Sequence, residues 1–218
     1  IEETTISRQP GTTIRVEHLF AKVPARRKFL KSDRQELSAI TRLIQEVALT
    51  FPHIHFELYH ENKELINTPS ETFLLEKFYQ LMSKELAGKM HYFKVEEDGI
   101  SAEFIVSSPV IKRTNRSQQM LSINGRVIQD FRLNKIVSDA YQGFLLGNEY
   151  PIFFIHLHIA PDSVDVNVHP RKSEVRFSTP DQIYSFLYRH IREFLSSQQF
   201  AVSPNYQSQS ISQHSLPS

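Results

Sequence analysis

Apolar and polar positions change period several times along the chain, and each change marks an element. GTTIRVEH (11–18) alternates as a strand, and the basic stretch after it is expected as a loop or a short helix opened by Pro24. Ser32 and Gln35 have capping-box spacing for a helix over about 33–50, with Leu37, Ile40, Leu43, Ile44 and Val47 on one apolar stripe and Pro52 ending it. HIHFELYH (53–60) and KELIN (63–67) flank Glu61-Asn62 as a hairpin. A second helix is expected over about 71–87, burying Leu74, Leu75, Phe78, Leu81 and Met82 and stopped by Gly88. Strands follow at about 90–96, 100–107 and 117–124, turned at Asp98-Gly99 and again at Asn124-Gly125. A helix over 130–144 buries Ile136, Val137, Ala140, Tyr141 and Phe144, and PIFFIHLHI (151–159) reads as a strand inside a sheet. Thr179-Pro180-Asp181-Gln182 opens a last helix carrying Ile183, Phe186, Leu187, Ile191, Phe194 and Leu195 at helical spacing. Strands mixed with helices in this order predict an α/β fold of the two-layer sandwich type, with residues 32–88 as an α–hairpin–α segment.

Composition narrows what such a fold could do. The chain has 218 residues, 40% of them hydrophobic, which suffices for one sizeable core or two small ones. It has no cysteine, which excludes disulfides, thiolate metal sites and a cysteine nucleophile. No apolar run approaches the ~20 residues of a membrane span. The first residue is Ile1, and the expectation is a piece of a longer protein. From Ser196 onward, 8 serines and 5 glutamines in 23 residues predict a disordered linker over 196–218.

The net charge of +1 hides a patchy distribution. Lys22, Arg26, Arg27, Lys28, Lys31 and Arg34 crowd one stretch against Asp33 alone, and Lys112, Arg113 and Arg116 form a second group without an acid between them. Clusters of this kind suit phosphate contacts, although a solvated face is the commoner use of charge. A third feature is DVNVHPRKSEVRF (165–177), a strand pattern broken at Pro170, which places Lys172 on an exposed bend.

GTTIRVEHLFAKVPARRKFLKS, LSINGRVIQD and DVNVHPRKSEVRF, in this order and spacing, closely resemble the amino-terminal region of MutL-type DNA mismatch-repair proteins, over about residues 11–195. The resemblance implies that 19–195 is the transducer domain that follows a GHKL ATPase domain, and that 1–18 is the last strand of that ATPase domain. It also implies a fold like the second domain of the fifth small-subunit ribosomal protein, with a left-handed βαβ crossover against the usual preference. Gly11, Thr12 and Thr13 match the family's last ATP-binding motif. The helix with the catalytic glutamate and the Gly-rich lid are not in these residues, so this chain alone is expected neither to hydrolyse ATP nor to bind it tightly.

In the family the lysine of the HPxK run reaches the γ-phosphate in the preceding domain, which implies a catalytic and sensing role for Lys172, a mobile point charge against a developing negative charge. The counterpart of Arg126 lies in a positive groove implicated in DNA binding, and Lys112, Arg113 and Arg116 belong to the adjoining loop. Implied for the longer protein are ATP with Mg2+, DNA, a MutS-type mismatch-recognition protein, and a homodimer or family heterodimer. Its location would be cytoplasmic and nucleoid-associated in a bacterium, nuclear in a eukaryote, with no membrane. This sequence departs from the family before PARRKF, where Phe20-Ala21-Lys22-Val23 replaces a Phe-Tyr-Asn-Thr-like run, and it has no Asp-Gln-His-Ala endonuclease run.

Other chemistries have less support. His53 with His55, and His156 with His158, lie two apart on strands and share faces, but no third ligand has recognisable spacing, so no metal site is expected. There is no Gly-x-Ser-x-Gly elbow for a serine nucleophile. The transducer of another GHKL machine, such as a type II topoisomerase, would carry Gln-Thr-Lys where HPRK stands. A ribosomal-type RNA-binding module would explain the basic clusters but leave the Lys172 bend without a purpose.

Overall fold

A computed structural model describes residues 12–71, 73–82, 84–165, 175–198 and 200. They fall into two units, residues 1–40 and 41–218. In the first, the chain over 12–17 has no secondary structure, and Ile14 and Val16 are exposed. The strand expected there is therefore not formed in its described part, and Gly11 lies outside the described residues. Alternation specifies which faces a strand would present, but its N–H and C=O groups need a neighbouring strand, and no described strand pairs with this segment. Helix α1 is the single turn Pro24–Arg27, started by the preset φ of Pro24 and fully exposed. Helix α2, Asp33–Thr50, begins in this unit. The Gln35 amide oxygen accepts from the Ser32 N–H and hydroxyl, at 3.4 and 3.2 Å, which forms one half of the expected capping box.

In the second unit α2 ends, and its buried residues are Glu46, Ala48, Leu49 and Thr50. The expected stripe is not the buried face: Ile40 and Leu43 are 47% and 52% exposed. Helical spacing defines a stripe, but only the last turns of α2 meet the core, and the ion pair of Arg42 Nε with Glu46 Oε1 at 2.8 Å makes a buried carboxylate tolerable there. The hairpin of β1 (Phe56–His60) and β2 (Lys63–Thr68) turns at Glu61-Asn62, both at positive φ. Helix α3 is shorter than expected, Leu74–Leu81, followed by a separate 3₁₀ turn, Lys84–Leu86. Met82 adopts extended backbone, and Gln45 donates to the carbonyl of Leu81 at 3.0 Å.

Five strands form the central sheet in the order β3 (Met90–Glu97), β4 (Ile100–Ser107), β7 (Phe153–His158), β5 (Gln119–Ile123) and β6 (Arg126–Ile128). The β5–β7 pair is parallel and the others antiparallel. On one face, Phe104, Leu121, Phe153 and Ile155 pack with Leu133 and Val137 of α4 (Phe131–Ala140) and with Ile183, Phe186, Leu187 and Ile191 of α5 (Pro180–Ser197). On the other face, Ile105, Met120 and Phe154 pack with Ala48 and Leu49 of α2, Ile66 of β2 and Leu74, Phe78 and Leu81 of α3. The unit is thus a mixed α/β domain whose sheet is covered on both faces, one layer more than the two expected. The near-continuous burial of β4, β5 and β7 is the sequence-level trace of that second cover.

The pattern broken at Pro170 becomes two short strands, β8 (Val164–Asp165) and β9 (Arg176–Phe177), paired antiparallel. Pro170, Arg171 and Lys172 between them lie outside the described residues, as does 201–218 of the expected linker.

Candidate nucleic-acid interface

The turn that presents Arg126 is fixed from three sides. Asn124 and Gly125 both have positive φ, +48° and +77°, as the tightest hairpin turn requires. The Asn124 amide donates to the carbonyl of Ile159 at 2.9 Å and accepts from its N–H at 3.0 Å, which ties the turn to the end of β7. The Phe51 ring lies against Gly125, so closely that a Cβ there would stand 3.4 Å from its Cζ. Arg126 itself is exposed, and no ion pair engages it among the described residues.

Between β4 and β5 the loop carries the other three cations, and each is used differently. Lys112 Nζ pairs with Glu149 Oε1 at 2.5 Å; this bond, with the Leu146 N–H, holds the Glu149 carboxyl below the usual range. Arg113 donates from Nε to Gln118 and from Nη2 to Glu85, both at 2.7 Å, while its backbone bridges Tyr150. The Arg116 guanidinium lies 4.9 Å from the ring centroids of both Phe131 and Tyr150.

These four residues do not form one cluster. Arg126 pairs with Ile123 at one end of β5, whereas the Gln119 N–H bonds the carbonyl of Arg116 at the other. Four residue steps along a strand separate those ends, roughly 13 Å. Phe131 and Tyr150 were not legible as site residues; Tyr150 reaches Arg116 only because its backbone pairs with Arg113. Phe131 takes its place through the cap of α4, where one carboxylate oxygen of Asp130 accepts from the N–H groups of Arg132 and Leu133 at 2.8 and 3.0 Å, and the other from Val175.

Thr12 and Thr13 are exposed in the first unit; Gly11 and Lys172 are outside the described residues. What the second unit shows for Lys172 is its frame: Asp165 pairs with Arg176, and the Val175 N–H is held by Asp130 at 3.2 Å. His156 is buried, with Nδ1 bonded to the Ser122 hydroxyl and its ring 4.2 Å from that of His158. Burial, then the neighbouring His158, pulls its pKa down to about 4, so it is neutral. Among the described residues no group of three ligating side chains could hold a metal ion, and no helix is long and apolar enough to cross a membrane.

A family model described as "DNA mismatch repair protein, C-terminal domain" matches residues 78–196. The chain is 34% identical over 194 residues to the DNA mismatch repair protein MutL of Flavobacterium johnsoniae, covering 89% of this chain and 30% of that protein. It is 35% identical over 208 residues to the MutL of Rickettsia rickettsii, covering 93% and 34%. The chain thus spans about a third of the length of the curated relatives it matches. Among solved structures, the N-terminal domain of a DNA repair protein superposes with a TM-score of 0.70 at 16% identity, covering 84% of this chain and 60% of that one, a likeness of fold alone. The Aquifex aeolicus MutL ATPase domain complexed with ADP matches at 26% identity with a TM-score of 0.51, covering 67% and 52%.

Proposed function

The chain belongs to the MutL family of DNA mismatch repair proteins, as the part that closes the family's ATPase region, and from that premise we propose that it couples nucleotide state in a preceding ATPase domain to a grip on DNA. In this proposal Gly11, Thr12 and Thr13 complete the pocket for ATP and Mg2+, and Lys172 reaches the γ-phosphate from the segment between β8 and β9. The connection from β5 through β6 and α4 to the parallel neighbour β7 is the crossover to which the left hand belongs. A MutS-type protein would deliver the complex to a mismatch, and a homodimer or family heterodimer would form around bound ATP.

The observation that carries the DNA half is Arg126, a cation without an ion-pair partner among the described residues, on a turn locked by Asn124 and Phe51. A guanidinium held out on a fixed turn is suited to a phosphate, and a phosphate contact carries no sequence information, which fits a protein that must act at any sequence. The test is equilibrium binding of this chain to duplexes of unrelated sequence. Arg126→Glu is expected to weaken all of them alike and to flatten the salt dependence. A substitution that altered sequence preference alone, or binding indifferent to salt, would contradict the phosphate role.

A further inference from the structure

Three cations of the loop before β5 differ in what they have left to offer a ligand. Lys112 stands against Glu149, and Arg113 spends Nε on Gln118 and Nη2 on Glu85. Arg116 is unlike both. Its guanidinium lies 4.9 Å from each of two ring centroids, and among the described residues no acceptor receives a hydrogen bond from it. Nε is buried without a partner, while the Nη pair reaches solvent.

We propose that Phe131 and Tyr150 are positioning residues for DNA binding: they hold the Arg116 guanidinium between two π faces and leave its terminal N–H fork unspent for one phosphate. The clamp rests on the DNA function proposed above. Its physical logic is that an arginine loses much of its rotamer freedom on binding an anion, and rings that fix it beforehand remove part of that cost. A carboxylate would fix the side chain equally well but would occupy the fork, as Glu85 does at Nη2 of Arg113. Cation–π attraction holds the plane and consumes no N–H. Both rings are placed by the fold itself, Tyr150 by its backbone pairing with Arg113 at 2.8 and 2.9 Å and Phe131 as the first residue of α4. Beside the guanidinium is a cleft of about 240 Å³ that also has Ser138, Gln142, Asp139 and Glu149 in its walls. Its two carboxylates are each paired with a lysine at 2.5 Å, Asp139 with Lys135 and Glu149 with Lys112, so an entering anion does not meet a bare acid.

The experiment is a titration of this chain with a fluorescent duplex of arbitrary sequence, at salt from about 50 to 200 mM. Phe131 is 64% exposed, so Phe131→Leu is expected to fold, as circular dichroism will verify, while losing the π face. It is expected to weaken binding about two- to five-fold, the range of a cation–π contact of about 0.5–1 kcal/mol. The log–log salt slope should become shallower by up to about 0.9, the share of one phosphate. Phe131→Tyr and Tyr150→Phe keep both rings and should bind as wild type. Arg116→Gln should lose the whole contact, and adding Phe131→Leu to it should cost nothing more. Equal losses from Phe131→Leu with and without Arg116, or an unchanged slope, overturn the clamp. If Arg116→Gln binds normally while Arg126→Gln does not, the clamp fails and the DNA function stands. If both arginine variants bind normally, the DNA function itself has failed and the clamp with it.

Discussion

His156 and Lys77 are both basic side chains removed from water, and their surroundings set them in opposite charge states. Nothing in the sequence marks Lys77 as buried except its place three residues after Leu74 and one before Phe78 on the helix. It is fully buried, and its ammonium donates to the carbonyls of Ile54, Thr68 and Pro69 at 2.8, 3.2 and 2.5 Å, joining α3 to the ends of the β1–β2 hairpin. Burial lowers its pKa, and the three carbonyls compensate for the water it has lost. His156 has a hydroxyl partner and a second imidazole beside it, and it stays neutral down to about pH 4. The sign of the linkage follows. The unfolded chain takes up a proton near pH 6.5 and the folded chain refuses it until about 4, so this stability is complete above about 6.5 and is lost as pH falls toward 4. The total is about 3 kcal/mol at 1.36 kcal/mol per unit. Urea unfolding across this window should show the decline, and His156→Gln should flatten it; identical pH profiles for the two proteins would rule the linkage out.

At the scale of elements, two turns of the same kind separate backbone strain from packing. Gly99 and Gly125 share a φ of +77°, but a Cβ at Gly99 would meet nothing within 4 Å, whereas at Gly125 it would touch the Phe51 ring. Gly99→Ala should therefore cost the left-handed backbone penalty alone, about 1–2 kcal/mol. Gly125→Ala should cost the same backbone penalty, and with its Cβ resting against the Phe51 ring that strain falls on the turn that carries Arg126. Denaturant midpoints measure the first effect, and DNA affinity, falling for Gly125→Ala only, measures the second. A Gly99→Ala variant that lost DNA binding equally would show that the turn acts through general stability. Such turns were readable from Asp-Gly and Asn-Gly, because positive φ admits few residues. The length of α3 was not: it ends at Met82, where Gln45 of α2 takes the Leu81 carbonyl, and the spacing of its own apolar residues does not mark that point.

For the molecule as a whole, the proposed coupling requires that nucleotide chemistry be absent from this chain and lost from the longer protein when Lys172 is removed. Purified, this chain should show no ATP turnover; clear hydrolysis abolished by Thr12→Ala would refute that. In the longer protein Lys172→Ala should reduce kcat more than nucleotide affinity, by at most the ~2.7–4 kcal/mol that one preorganised donor contributes to a developing oxyanion. Arg171→Ala is the control and should change little. Normal turnover in Lys172→Ala would end the γ-phosphate assignment.

By itself the sequence determined the elements that depend on local chemistry: the three glycine or asparagine turns, the proline-led helices, and the strands β3, β4, β5 and β7. It also carried the family, because long runs such as DVNVHPRKSEVRF are specific as strings. Tertiary structure decided what depends on a partner distant in the chain. Residues 12–17 need a neighbouring strand to become one, the buried face of α2 depends on where the sheet lies, and the charge available on the 112–116 loop depends on Glu85, Phe131, Glu149 and Tyr150. Period and propensity act over a few residues, whereas burial and pairing are set by groups that only folding brings within a few ångströms.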